Sequence, residues 1–253
     1  MKKPPHTYEN TSKLVRLLIE WIQTLAEAPG WGDFKNKKME RTLFFDHPLY
    51  PEANDPLPDF EFDEQTNQDH TLVSKWFSLH SAIELMEQTQ YYFRRYPFKG
   101  FPVTKTDHVR NIIEMYLGTV YITKIRMKNF LNLLNECYPD NKVDVGLVLK
   151  NFDKTFTYEL KERNLVHHHD PFSDIALNRL NVTGLVMTGK SPMEGLWKLR
   201  HAQAYREICT HWQDRVKSGT HSAKLYLDII AACVIDRATF LQHRGAHRPL
   251  ETR

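Results

Sequence analysis

The sequence predicts an all-α protein, and three observations carry the prediction. Apolar residues recur at three- and four-residue steps over long stretches. Glycine is scarce, at 10 residues, which disfavours the many tight turns of an all-β chain. The apolar fraction of 41% is enough for a packed core without staples. The expected architecture is a bundle of about five or six helices, most of them long, with an irregular N-terminal arm.

The first helix is expected from about Asn10 to Ala28. Leu14, Leu17, Leu18, Trp21, Ile22 and Leu25 form its apolar stripe, and Pro29-Gly30 stops it. Residues 30–66 contain Pro48, Pro51, Pro56 and Pro58 and the acidic tract Asp59-Phe60-Glu61-Phe62-Asp63-Glu64. This stretch reads as the irregular arm, lying on the bundle through Phe44, Phe45, Phe60 and Phe62. A second helix, capped by Asp69 or Thr71, runs to about Arg95 with Leu72, Trp76, Leu79, Ile83 and Met86 on its buried side. A third, capped by Thr104 or Thr106, ends near Tyr138-Pro139. It is apolar nearly all round, the mark of a central helix.

The fourth helix is expected from about Val143 to the Arg163 region through Val145, Leu149, Phe152, Phe156 and Leu160. Beyond Pro171 a short helix covers 172–181, and Gly184 to Gly189 forms a loop. Ser191-Pro192 then reads as an N-cap with proline in the first turn of a helix running to about Val216. Ser218-Gly219 ends that helix, and a last one covers about Ser222 to His243. The organisation is a single helical domain over 1–245, with a frayed tail at 246–253.

Composition excludes several classes. The net charge of +3, from 34 basic and 31 acidic residues, is far from that of a DNA-coating protein. Three separated cysteines without a CxxC argue against a disulfide framework or a cysteine-rich zinc site. The start, MKKPPHTYEN, lacks the apolar run of a secretory signal, and no stretch approaches ~18 apolar residues. The expected location is cytoplasmic, without membrane association. No GxGxxG or P-loop is present, so nucleotide hydrolysis is not indicated.

One segment carries pointed chemistry. Arg163, Asn164, His167, His168, His169 and Asp170 gather at the end of the fourth helix, just before Pro171. Phe152, Phe156 and Leu160 share one face, and Arg163 follows Phe156 by seven residues, which aims a guanidinium toward the packed side. Arg163 and His167 are i,i+4 neighbours, as are Asn164 and His168. A guanidinium stabilises phosphate charge by a two-pronged contact, and an imidazole moves protons near neutral pH. Together they suit RNA cleavage by its own 2′-hydroxyl, which needs no metal. The three histidines and Asp170 also invite a metal reading, but they lack ligand spacing. The Glu207–His211 and His80–Glu84 pairs read as surface or half-buried pairs. No cofactor or metal is expected.

Arg163-Asn164-Leu165-Val166-His167-His168 resembles the RNxxxH motif of HEPN domains. These are helical bundles, many of them metal-independent ribonucleases of toxin–antitoxin and antiviral systems. Arginine-to-histidine spacings of similar length recur at Arg41–His47, Arg206–His211, Arg215–His221 and Arg237–His243, but only the 163 site has asparagine directly after arginine. The resemblance implies an HEPN-like core over roughly 105–245 and a catalytic pair of Arg163 and His168, with Asn164 as the polar residue beside the arginine. His167, His169 and Asp170 stand as supporting groups. It further implies a homodimer in which two motifs meet, RNA as the target, and an antitoxin or other regulatory protein as a partner. Other members of the superfamily are noncatalytic modules that bind nucleic acid or protein, so a helical adaptor is the alternative.

Overall fold

The computed structural model describes residues 8–98, 100–168, 170–188 and 193–242. Among them there is no strand. The helices are α1 (Glu9–Leu25), α2 (Trp31–Phe44), α3 (Glu64–Tyr92), α4 (Lys105–Cys137), α5 (Val145–Thr155), α6 (Thr157–His168), α7 (Ile175–Thr188), α8 (Glu194–Arg237) and the single turn α9 (Thr239–Gln242). Short 3-10 turns lie at Pro51–Asn54 and Pro139–Asn141. The protein is therefore all-α, with more helical segments than the periodicity alone suggests. The chain divides into two compact units, one of residues 1–74 with 228–253 and one of residues 75–227.

In the first unit, Leu14, Leu18, Trp21 and Leu25 form the buried stripe of α1. Trp21 meets Phe240 edge-on at 5.2 Å between ring centres. The N-terminus of α1 is capped from a distance in sequence: Asp228 Oδ1 accepts from the Thr11 amide at 2.8 Å and Asp228 Oδ2 from Asn10 Nδ2 at 3.0 Å. The segment expected to be irregular contains α2, which has no buried residue. Its polar composition hides it from a search for apolar stripes. Gly30, in the left-handed region at φ 81°, turns the chain into it. Phe60 and Phe62 close on Trp31, at 5.2 and 5.0 Å, so the arm folds on itself, and Phe62 also meets His70 of α3 at 6.1 Å. Phe44 stacks on Tyr50 at 4.4 Å, and Phe45 is exposed. Lys37 ties the arm together, pairing with Glu40 at 3.3 Å and Asp55 at 3.8 Å.

The start of α3 also differs from expectation. Asp63, not Asp69 or Thr71, holds the first turn, accepting from the Thr66 amide at 2.9 Å. Asp69 is buried within the helix.

The second unit is built around α4. Its buried residues include Val109, Ile112, Ile113, Tyr116, Leu117, Val120, Met127, Phe130 and Leu134, so it is central as its all-round apolarity predicts. Thr104 opens it with a reciprocal capping box to Asp107. Trp76 of α3 packs on Phe130 at 5.6 Å. The expected fourth helix is two: Asp144 caps α5, and the chain bends at Phe156 (φ −108°, ψ 29°) before α6 begins. Phe152 and Phe156 on either side of the bend are both buried, with ring centres 4.5 Å apart. The 170–174 connection is pinned to α4 by Arg110 Nε donating to the Phe172 carbonyl and the Phe172 amide donating to Glu114.

The next two expectations also fail. α7 runs through Gly184 to Thr188. α8 continues through Ser218-Gly219 without a break, for a reason given below. Ser191-Pro192, His243 and the 246–253 tail lie outside the described residues. Among the described residues no helix is long and apolar enough to cross a membrane.

Candidate functional site

The end of α6 is where the sequence places the chemistry. Arg163 is half-buried, and its guanidinium lies 3.8 Å from the centre of the Tyr121 ring of α4. Its Nη1 donates to Asn164 Oδ1 at 3.3 Å. The contact with the π face steadies the charge, at roughly 0.5–1 kcal/mol for a partly exposed pair. The His167 and His168 rings are exposed and stand edge to face, 5.1 Å apart.

Helical geometry sorts these groups into two rows. At about 100° per residue, His167 lies about 40° round the helix from Arg163, whereas His168 lies about 140° round. One chain therefore presents Arg163 with His167 and Asn164 with His168 on neighbouring rows. The Arg163–Asn164 hydrogen bond joins the rows. Asp170 is exposed beyond the helix end. His169 lies outside the described residues.

A second polar site was not visible in the sequence. Glu159, one turn before Arg163, is buried at 5% exposure. Its Oε1 accepts from Arg215 Nε of α8 at 2.8 Å and from the Tyr116 hydroxyl of α4 at 3.5 Å. A buried carboxylate needs such partners, because an uncompensated buried charge is very costly. Arg215 is stacked as well as paired, with its guanidinium carbon 4.0 Å from the centre of the Tyr158 ring and 5.7 Å from that of the adjoining Trp212. Burial and the Glu159 charge push the Tyr116 hydroxyl far above the usual phenol range, so it stays a neutral donor.

A cleft of about 390 Å³ opens beside this pair. It is lined by Glu159, Arg215, His211, Asp214, Ser218 and Ser222, with Thr155, Phe156 and Gly219 completing the wall. Gly219 makes the arrangement possible. A Cβ there would run into the Tyr116 hydroxyl and come within 3.3 Å of the Phe156 ring. That is why a glycine sits in the middle of α8 without ending it. The sequence signal was an acid three residues after Phe156 and an arginine three residues after Trp212. Each sits near an apolar anchor of a different helix, and only their packing reveals a pair.

A larger cavity, about 570 Å³, lies among Tyr96, Lys105, Asn181, Leu185, Lys198 and His201. The buried His201 ring shares a hydrogen bond with Thr183 Oγ1 at 3.2 Å. Burial and the Lys105 charge hold its pKa below the usual imidazole value. The buried Cys209 thiol is pushed up to about 11 by burial, which makes it a poor nucleophile. Among the described residues, no group of three or more His, Cys, Asp or Glu side chains could hold a metal ion.

Fold and site together define an all-α helical protein with a cationic, imidazole-bearing helix end and a buried ion pair opening on a cleft. No protein-family model matches the chain, and no curated protein or solved structure is detectably similar to it.

Proposed function

We propose that this protein is an HEPN-like, RNA-targeting ribonuclease that works without a metal, as a homodimer, and that the end of α6 is its site. The observation that supports this most is the steadied Arg163 guanidinium with two exposed imidazoles within the next turn and a half. In the reaction, the 2′-hydroxyl oxygen forms a bond to phosphorus and the bond from phosphorus to the 5′-oxygen breaks. A base takes the hydroxyl proton, an acid protonates the departing oxygen, and the products are a 2′,3′-cyclic phosphate and a free 5′-hydroxyl. Arg163 covers the crowded phosphate, and His168 serves as acid or base, with Asn164 orienting the arginine.

The divergence of Arg163 and His168 around α6 gives the homodimer a specific purpose. A second copy would bring its His168 to the first copy's Arg163, a reciprocal pairing that one helix cannot make. An antitoxin-type regulator would then act by covering the two motifs or by parting the copies.

The test is cleavage of a short RNA by the full chain in EDTA, with a 2′-deoxy substitution at the cut site as the control. His168→Ala should abolish cleavage while leaving the melting temperature in place, and the 2′-deoxy substrate should resist. Undiminished cleavage by His168→Ala, or equal cutting of the deoxy substrate, would sink the mechanism.

A noncatalytic adaptor is favoured by a different observation. Arg163 already has intramolecular partners in Tyr121 and Asn164, and α7 exposes Ile175, Val182 and Leu185. On that reading no RNA is cut, and Arg163→Ala lowers the melting temperature instead.

A further inference from the structure

The cleft between α6 and α8 is absorbed by neither reading, and its chemistry is distinct from that of the α6 end. We propose that it is a binding site for a phosphorylated sugar of about mononucleotide size, held by Arg215 and the hydroxyls of α8. The proposal does not rest on RNA cleavage.

Arg215 is the anchor. Its Nε is committed to Glu159 at 2.8 Å, and its guanidinium rests against the Tyr158 ring, 4.0 Å from the ring centre. Among the described residues its Nη nitrogens have no further hydrogen-bond partner. A guanidinium held in this way presents the planar edge that grips two phosphate oxygens. Orientation is already supplied by the protein, so a ligand need not order the side chain.

The rest of the lining fits the same ligand. Ser218 and Ser222 bring hydroxyl donors, and His211 brings an imidazole. Asp214, paired loosely with Lys217 at 3.5 Å, is the acceptor for sugar hydroxyls. Phe156 gives the apolar part of the wall. The volume of about 390 Å³ falls within the usual range for small-ligand sites, roughly 300–1,000 Å³.

A purely structural brace accounts for part of this geometry. It explains Glu159 and Tyr116, which are buried. It does not explain why the ion pair opens on a cavity lined with hydroxyls. Because Glu159 balances Arg215, binding should depend on directed hydrogen bonds more than on net charge. Salt should then weaken it only modestly.

The experiment is calorimetric titration of the full chain with AMP, adenosine and inorganic phosphate. AMP should bind saturably at ligand concentrations up to about 1 mM, with inorganic phosphate weaker and adenosine weakest. Arg215→Lys keeps the charge and loses the fork, so AMP affinity should fall about tenfold or more. That variant disturbs the buried pair, so a second one is needed. Ser218→Phe, at an exposed position on the cleft wall, leaves Glu159 and Arg215 in place and fills the space. It should remove AMP binding with an unchanged melting temperature. No saturable AMP binding, equal affinity for adenosine, or full AMP binding by Ser218→Phe would each overturn the proposal. RNA cleavage is measured separately, so loss of one reading leaves the other standing.

Discussion

Gly219→Ala is the substitution that bears most directly on how the second unit is packed. In an ordinary helix interior the change is favourable by about 1 kcal/mol, because alanine gives up less conformational freedom than glycine. In α8 the added carbon would enter the space of the Tyr116 hydroxyl and approach Phe156 Cε1 to 3.3 Å. Both rings are buried, at 0% and 1% exposure, so neither can swing into solvent. Overpacking of this kind costs about 1–3 kcal/mol, and subtracting the propensity gain leaves a net loss on the order of 1 kcal/mol. Gly118, inside α4, is the internal control. A Cβ there meets nothing within 4 Å, so Gly118→Ala should stabilise by up to about 1 kcal/mol. The opposite signs are the prediction, read by urea denaturation of the two variants side by side. Removing the clashing hydroxyl should couple to the first change: Tyr116→Phe in the Gly219→Ala background should recover part of the loss. If Gly219→Ala proves as stabilising as Gly118→Ala, α4 and α8 do not approach this closely at Gly219.

Other perturbations have equally definite outcomes. Arg215→Met strands the buried Glu159 carboxylate and should cost about 3 kcal/mol in a denaturant melt, while pairing it with Glu159→Leu should cost less than the single change. Thr104→Ala removes one half of the α4 capping box and should cost about 1 kcal/mol. His201 and His108 have folded-state pKa values below the ordinary 6.5, chiefly through burial, so the folded state favours the neutral rings. Their contribution is present above pH 6.5 and is lost as pH falls through the folded values, so the melting temperature should drop on acidification, and a flat profile from pH 7 to about pH 5 would contradict the burial. At the alkaline end Cys209, up to about 11 from an ordinary 9.0, stays protonated in the folded state after the unfolded thiol has ionised. Stability should therefore decline from pH 9 toward pH 11, and Cys209→Ala should reduce that slope.

The α6 end was legible because its chemistry is local. Arg163, Asn164, His167 and His168 are contiguous, and a helix alone decides their neighbours. What the helix does not decide is that Arg163 stacks on Tyr121, a residue 42 positions earlier on another helix. The Glu159–Arg215 pair was illegible for the same reason at greater distance. Each residue alone looks like a charge on an amphipathic helix, and burial is conferred by partners that periodicity does not name. Misplaced breaks had a common origin. Ser218-Gly219 is ordinarily a helix stop, yet here packing against Tyr116 and Phe156 requires a missing side chain and carries the helix through. Conversely, the apolar period through Phe152, Phe156 and Leu160 suggested one straight helix, whereas the chain turns at Phe156 with both phenylalanines buried.

By itself, the amino-acid order determined the all-α class, the central place of α4 and the cap at Thr104. These follow from spacing within one helix and from side chains that reach only their own backbone. Tertiary structure decided the bend at Phe156, the unbroken run of α8, the folding of the aromatic arm onto α2 and the cleft beside Glu159. Those features depend on which faces meet, and burial energy at a meeting of faces outweighs the local preference of a glycine, a serine or a polar stretch.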